Sequence, residues 1–147
     1  MRISTKGSYA MEAMMAIASR QDDRAVSIRE ISERTGISDK YLEQIFLLLK
    51  ESGLLRGTRG VGGGYVLSKR PEEITAGDVL RATETSFSPV PCLADEDTCT
   101  MVSSCASRAV WSGLDATIRE TTDHVTLRDL VAAYKVDSAK SMDNYSI

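Results

Sequence analysis

The chain has 147 residues, of which 42% are hydrophobic and 27% are charged, and this composition is ordinary for a globular protein. No run approaches the roughly 18 apolar residues that a membrane-spanning helix requires. The N-terminal residues lack the apolar core of a signal peptide. We therefore expect a cytoplasmic protein with no membrane partner, built as one small domain with an added dimerisation helix.

The formal net charge of −3 conceals two halves of opposite sign. Residues 1–70 contain 12 Lys and Arg against 8 Asp and Glu, a surplus of four positive charges. Residues 71–147 contain 6 against 13, a surplus of seven negative charges. Because a local basic patch matters more than the total for binding a polyanion, the asymmetry favours a nucleic-acid-binding first half.

Residues 27–52 carry the signals of two helices joined by a short turn. Ser27 and Glu30 fit the capping box that opens a helix, and Ser38 caps a longer helix that runs to about Ser52. The longer helix has an apolar stripe made of Leu42, Ile45, Phe46 and Leu49. A helix from Thr5 to about residue 20 precedes the pair. The pattern predicts a helix–turn–helix.

Residues 54–68 predict a hairpin that follows this helix pair. Two short strands, Leu54–Arg56 and Tyr65–Leu67, flank a loop in which four of five consecutive residues are glycines. Glycines let the backbone adopt positive φ and approach a partner closely. A helix pair followed by a basic, glycine-rich hairpin is the layout of a winged helix. A nucleotide-binding loop is excluded, because Tyr65 stands where the dinucleotide fingerprint needs glycine, and Gly-Lys-Ser/Thr is absent.

The major groove of DNA admits one helix, and the second helix of a helix–turn–helix enters it with its N-terminal residues facing the base edges. Gln44 can pair with adenine, Glu43 can accept from the N4 amine of cytosine, and Arg59 suits the minor groove. The candidate DNA contacts are Arg2, Thr5, Lys6, Ser38, Lys40, Tyr41, Glu43, Gln44, Arg56, Arg59, Gly60, Gly62, Gly63, Gly64 and Tyr65. The alternative for either helix alone is a polar face that is merely solvated.

Three cysteines follow in the second half, with Cys92, Cys99 and Cys105 separated by six and five residues. An odd number argues against a disulfide framework, and the tight Cys-x-x-Cys pairs of structural zinc sites are absent. Clustered thiols in an irregular, polar loop suit iron–sulfur ligation. Three unrelated thiols or a thiol redox switch remain alternatives.

The rest of the second half predicts three helices. A short one begins at Thr75, a long one covers about 104–123, and a last one covers about 126–134. The long helix has an apolar side made of Val110, Trp111, Leu114 and Ile118, which we expect to form a dimer interface. The expected domains are a winged helix–turn–helix domain (1–83), a cysteine-containing cluster loop (84–104), a dimerisation helix with a final helix (105–135), and a flexible tail (136–147).

Over nearly all of residues 1–135 the chain resembles the IscR-type iron–sulfur cluster regulators of bacteria. The segments that carry the resemblance are 1–7, 31–38, 41–44, 59–65 and the cysteine loop leading into Ala109-Val110-Trp111. The resemblance implies a homodimeric winged-helix transcription factor that crosses through its long C-terminal helix. It also implies an iron–sulfur cluster, most simply 2Fe-2S, on the three cysteines, whose occupancy changes which promoters are bound.

The chain departs from that pattern at the fourth cluster ligand. The best-known branch has a histidine three positions after the last cysteine, where this chain has Arg108, and the first cysteine gap is one residue longer here. Nitric-oxide-sensing relatives use a carboxylate near the N-terminus, where this chain has Ser8. The fourth ligand is therefore open, with His124, Asp95, Glu96, Asp97 and Glu43 as the candidates.

The fold class that we predict is mainly α with a small β-wing: a winged helix–turn–helix domain plus a long C-terminal dimerisation helix. We expect a homodimeric regulator that binds a double-stranded DNA operator and represses iron–sulfur cluster assembly genes. The alternatives are a cluster-free thiol or zinc regulator on the same scaffold, an interaction module that no longer binds DNA, and an enzyme. An enzyme is disfavoured, because the chain lacks a HExxH motif, a nucleophile elbow and a phosphate loop.

Overall fold

The computed structural model describes the backbone of residues 2–144 and the side chains of residues 2–135. The main elements are α1 (Thr5–Ala18), α2 (Ile28–Thr35), α3 (Asp39–Glu51), β1 (Leu55–Thr58), β2 (Gly64–Leu67), α4 (Ala76–Thr83), α5 (Pro91–Ala94), α6 (Arg108–His124) and α7 (Leu127–Asn144). Single 3-10 turns lie at Pro71–Glu73, Glu96–Thr98 and Val102–Ser104. The predicted fold class, mainly helical with a small β-wing, is confirmed.

Serines begin the first three helices, as the sequence indicates for the second and third. The side chains of Ser4, Ser27 and Ser38 each accept a hydrogen bond from a backbone amide in the first turn. Ser27 and Glu30 form the complete capping box. Gly36 then ends α2 in the left-handed region at φ 74°, which sets up the turn into α3.

The core lies among α1, α2, α3, the first residues of the hairpin, α4 with the residue Ile74 before it, and the start of α7. The predicted stripe of α3, made of Leu42, Ile45, Phe46 and Leu49, is completely buried. It packs in one cluster with Ala10, Ala13, Met14, Ile17, Val26, Ile31, Ile37, Leu54, Leu55, Ile74, Val79 and Leu127. The opposite side of α3, including Lys40, Glu43 and Gln44, is exposed to solvent.

The hairpin is an antiparallel pair whose register runs from Leu55 opposite Leu67 to Thr58 opposite Gly64. A further antiparallel bridge joins Tyr65 to Val26, the residue directly before the cap of α2. The amide of Val26 donates to the carbonyl of Tyr65 at 2.9 Å, and the amide of Tyr65 donates to the carbonyl of Val26 at 2.8 Å. The hairpin is therefore fixed to the start of the helix–turn–helix.

The second half differs from expectation at its element boundaries. The segment predicted as irregular contains the one-turn helix α5 and two 3-10 turns, and α6 begins at Arg108 rather than near residue 104. The backbone of α7 is helical to Asn144, through most of the segment predicted as a tail, whereas residues 145–147 lie outside the described part. Within the described residues, no helix has the length and apolarity needed to span a membrane.

Candidate nucleic-acid interface and cysteine segment

The wing, which consists of β1, β2 and the loop between them, lies next to α3, the second helix of the helix–turn–helix and the predicted recognition helix. The ring of Tyr65 packs edge-to-face on Phe46, with centroids 4.9 Å apart. The amine of Lys50 lies 3.8 Å from the position that a Cβ would take on Gly57 of β1. One set of contacts therefore fixes the orientation of the wing relative to the helix.

The N-terminal half of α3 presents the predicted base-reading residues to solvent. Ser38, Lys40, Glu43 and Gln44 are exposed. Tyr41 is half-buried, and its ring packs edge-to-face on Tyr9 of α1 with centroids 5.5 Å apart. Of the five residues predicted to contact DNA from this helix, four are exposed to solvent. The ring of the fifth, Tyr41, packs against α1.

The tip of the wing is held by hydrogen bonds within the hairpin, one of them to the side chain of Thr58. The amide of Gly63 donates to the carbonyl of Gly60 at 2.9 Å, and the amide of Gly64 donates to the hydroxyl of Thr58 at 3.1 Å. Arg56, Arg59, Gly60 and Gly62 are exposed, and Gly63 and Gly64 are half-buried. The ring of Tyr65 contacts Phe46 of the core, so it anchors the wing, a placement that the sequence pattern did not reveal.

The Lys and Arg side chains on the N-terminal segment, α3 and the wing form no ion pair with a carboxylate among the described residues. Arg20, Arg24, Arg29, Arg70, Arg81, Arg108, Arg119 and Arg128 each pair with a carboxylate. The cations without such a pair include Arg2, Lys6, Lys40, Lys50, Arg56 and Arg59, which lie on the N-terminal segment, α3 and the wing. Unneutralised cations of this kind are what a phosphate backbone attracts.

The N-terminal contacts lie beside a residue that sequence reasoning missed. Arg2 and Thr5 are exposed and Lys6 is half-buried, at or just before the first turn of α1. Oε1 of Glu84 accepts hydrogen bonds from the amide and the hydroxyl of Ser4, at 3.1 Å and 2.7 Å. No local pattern could indicate this contact, because the two residues are 80 positions apart.

The three cysteines are free thiols, and all of them are half-buried. Cys92 lies in α5, whereas Cys99 and Cys105 each follow a 3-10 turn. Within the part of the chain that the structure describes, no three His, Cys, Asp or Glu side chains lie close enough to hold a metal ion. The donor chemistry fits an iron–sulfur cluster, but the predicted ligands are not brought together in this arrangement.

Cys105 is the thiol with a perturbed acidity. The hydroxyl of Ser107 lies 3.4 Å from its sulfur. This hydrogen bond, followed by backbone hydrogen bonds and the charge of Arg108, lowers the pKa of the Cys105 thiol from its ordinary value. A lower pKa increases the thiolate fraction, which is the form that binds metals and reacts with oxidants.

Four of the five candidates for a fourth ligand are already engaged or lie on other elements. Arg108 pairs with Oε1 of Glu96 at 2.7 Å, and Oδ1 of Asp95 accepts from the amide of Asp97. Nδ1 of His124 contacts the carbonyl of Glu120 at 2.6 Å, at the end of α6 far from Cys105. Glu43 lies on the recognition helix.

The long helix α6 has no completely buried residue in this chain. Val110 and Leu114 retain 64% and 43% of their exposure, while Trp111 and Ile118 are half-buried. All four lie within one stripe of the helix, and the two most exposed members form its outer edge. This is the side that we predicted as a dimer interface.

An exposed recognition helix, a glycine-rich wing fixed beside it and unneutralised cations along both define a winged-helix DNA-binding protein. A profile of the Rrf2 family, described as an iron-dependent transcriptional regulator, matches residues 3–133. The chain belongs to the Rrf2 family.

Similar proteins include regulators named CymR and regulators named IscR. The regulator CymR of Bacillus subtilis is 37% identical over 132 residues, which is 90% of this chain and 91% of CymR. The solved structure of CymR, described as the global cysteine regulator of that species, covers 90% of this chain with a TM-score of 0.75. IscR of Pectobacterium atrosepticum is 38% identical over 131 residues, 89% of this chain and 79% of that protein.

The solved structure of IscR from T. potens is 32% identical and covers 91% of this chain and 88% of its own, with a TM-score of 0.73. The resemblance to IscR-type regulators is thus confirmed, and CymR is similarly close. These relatives are named transcriptional regulators, and this chain is a DNA-binding transcriptional regulator rather than an enzyme.

Proposed function

We propose that this regulator is a homodimer in the bacterial cytoplasm that represses iron–sulfur cluster assembly genes and senses cluster supply through Cys92, Cys99 and Cys105. The observation that supports sensing is the placement of three free, half-buried thiols in one stretch between α4 and α6. This stretch connects the DNA-binding domain to the proposed dimerisation helix. A change in its conformation can therefore alter how the two DNA-binding domains are spaced.

In this proposal the three thiolates hold a cluster, most simply 2Fe-2S, whose presence supplies the signal of iron and sulfide availability. Cys105 is suited to ligation because its lowered pKa favours the thiolate. Binding requires the segment to rearrange so that the thiols converge. The ion pair of Arg108 with Glu96 is the contact that such a rearrangement would break if Glu96 became the fourth ligand.

Dimerisation is supported by the exposed apolar side of α6. A helix that leaves Val110 and Leu114 open to solvent gains from burial against a second copy. Two-fold symmetry then places two recognition helices on one side of the dimer, which calls for a near-palindromic operator.

Each DNA-contacting element has its own role in this proposal. Gln44 and Glu43, exposed on α3, read base edges in the major groove, and Glu43 rejects sites that lack a cytosine amine to meet its charge. Arg59 on the wing enters the flanking minor groove. Ser38, Lys40 and the N-terminal cations contact phosphates.

Replacing Arg59 with alanine is expected to weaken binding to all sequences, whereas Gln44→Ala is expected to relax base preference at one position, by about 1–3 kcal/mol. The two effects separate because phosphate and minor-groove contacts position the protein, whereas a major-groove amide reads a base. Binding-site selection from a randomised duplex library, followed by titrations at fixed salt, measures both. If both variants selected and bound DNA like the parent, this assignment would be wrong.

Replacing Cys92 with alanine is expected to abolish the visible absorption of protein purified without oxygen, because one of three protein thiolates is removed. Ser103→Ala, in the same segment, is the matched control and is expected to retain the chromophore. Absorption spectra with iron and sulfide analysis make the measurement. A brown Cys92→Ala protein with parental iron content would show that these ligands are misassigned.

A cluster-free thiol or zinc regulator is the second candidate. It is favoured by the similarity to CymR, which is described as a cysteine regulator, and by thiols that lie apart in this arrangement. Iron, sulfide and zinc analysis of oxygen-free parent protein distinguishes the two. Iron with sulfide supports the cluster, zinc alone supports the zinc regulator, and neither element supports a thiol regulator.

A further inference from the structure

Glu84, the residue that follows α4, contacts the residue that caps the first turn of α1. Its Oε1 accepts from the amide and the hydroxyl of Ser4, while the Ser4 hydroxyl oxygen accepts from the amide of Gly7 at 3.0 Å. A carboxylate here also complements the positive end of the α1 helix dipole. Glu84 and Ser4 together therefore provide hydrogen-bond acceptors for the amides of Ser4 and Gly7 at the start of α1.

The contact depends on a glycine in the helix. Gly7 is buried, and a Cβ added to it would collide with Oε1 of Glu84. Any side chain at position 7 would therefore displace the carboxylate. Glycine is less favourable than alanine within a helix, so its presence here is explained by the close approach of Glu84.

The helix that Glu84 follows, α4, is fixed at a second point in the same manner. Arg81 of α4 pairs with Oδ1 of Asp123 near the end of α6 at 2.8 Å. A Cβ on Gly77 would collide with that same carboxylate oxygen. As a result, α4 connects the long helix α6 to the N-terminal end of α1, and the cysteine segment begins at the residue that makes the contact with α1.

We propose that Glu84 is a positioning residue for DNA binding. It fixes the first turn of α1 so that Arg2, Thr5 and Lys6 reach the phosphate backbone, and it does so from the point where the cysteine segment leaves α4. The inference rests on the proposed phosphate contacts of the N-terminal segment. It assigns to a carboxylate a favourable effect on the binding of a polyanion.

The proposal is testable because it predicts that a negatively charged residue strengthens DNA binding. Charge alone predicts that removing Glu84 would strengthen DNA binding, because a negative group near the phosphates is lost. Positioning predicts the opposite result for Glu84→Ala. In Glu84→Gln the charge is also lost, but the amide oxygen can still accept from Ser4, so the binding of this variant is expected to remain close to parental or to exceed it.

The experiment uses the full chain and a random-sequence duplex, with fluorescence anisotropy titrations over a range of salt concentrations. For Glu84→Ala, affinity is expected to fall about three- to tenfold, and the slope of log K against log salt to shrink by about one phosphate contact. Glu33→Ala is the control, because this exposed carboxylate pairs with Arg29 within its own helix. It is expected to leave the slope unchanged.

A double-mutant cycle that combines Glu84→Ala with Lys6→Ala tests whether Glu84 affects DNA binding through the N-terminal cations. If Glu84 acts by placing Lys6 and its neighbours, Glu84→Ala and Lys6→Ala are expected to be less than additive. Should Lys6→Ala reduce the slope while Glu84→Ala leaves both affinity and slope intact, the positioning role is overturned and the N-terminal contacts stand. If neither variant alters the slope, the N-terminal contacts are wrong as well.

Gly7→Ala supplies an independent variant if Glu84→Ala does not fold. Its Cβ occupies the place of the carboxylate and forces Glu84 away, so the same reduction of the salt slope is expected. Hydrogen exchange at the amide of Ser4, which donates to Glu84, is expected to accelerate in the same protein. Accelerated exchange with a parental salt slope would overturn the proposal.

Discussion

Phe46→Ala is expected to destabilise the protein by about 3–5 kcal/mol, a large share of the roughly 5–15 kcal/mol that holds a domain together. Phe46 is completely buried among the core residues of α3, and its ring also supports Tyr65 of the wing. Its removal leaves a cavity at the junction of the recognition helix and the wing. Denaturant unfolding at fixed protein concentration measures the loss.

The adjacent residue is the matched control. Leu47 is apolar and on the same helix, but it retains 55% of its exposure, so Leu47→Ala is expected to change stability by less than about 0.5 kcal/mol. A Phe46→Leu variant keeps most of the apolar volume and is expected to fall between the two. Equal effects of Phe46→Ala and Leu47→Ala would show that α3 does not bury the side described above.

The parts of the fold that could be predicted from the sequence are those encoded locally. The capping box of Ser27 with Glu30 and the serine cap of α3 depend on atoms three residues apart, so a short window of sequence contains the whole signal. The buried stripe of α3 follows from helical periodicity in the same way. Both predictions are confirmed.

The parts that could not be predicted depend on contacts between distant residues. The strand pair extends to Thr58 opposite Gly64, and Tyr65 pairs in addition with Val26; residue composition alone reveals neither pairing. An aromatic residue beside a glycine loop is equally compatible with a DNA contact and a core anchor, and the ring of Tyr65 is placed on Phe46. Glu84 carried no signal, because its partner lies 80 positions away.

The cysteine segment shows a different limit. Spacing identifies three thiols that could share a ligand, but convergence depends on the backbone between them, where prolines and short turns do not follow a helical or strand period. The thiols are half-buried yet separate, so their function as ligands stays a prediction. The family relationship identifies the class of protein, a transcriptional regulator, and the metal analysis described above identifies what the cysteines bind.

Gly64→Ala is expected to detach the wing and to lower stability by about 2–4 kcal/mol, through two separate costs. The backbone at Gly64 has φ 155°, a conformation that residues with a side chain rarely adopt. A Cβ there would also collide with the carbonyl oxygen of Val26, which forms the bridge to Tyr65. Thermal unfolding reports the total, and hydrogen exchange at the Tyr65 amide reports the local loss.

Gly62→Ala separates these two costs within the same hairpin. Gly62 also has positive φ, at 77°, but nothing lies within 4 Å of the Cβ position, so only backbone strain of about 1–2 kcal/mol is expected. The excess cost of Gly64→Ala then measures how closely the wing must approach the start of α2. If the two variants were equally stable and exchanged alike at Tyr65, the wing would not be fixed to Val26. The placement of the wing beside α3 would then lose one of its structural supports.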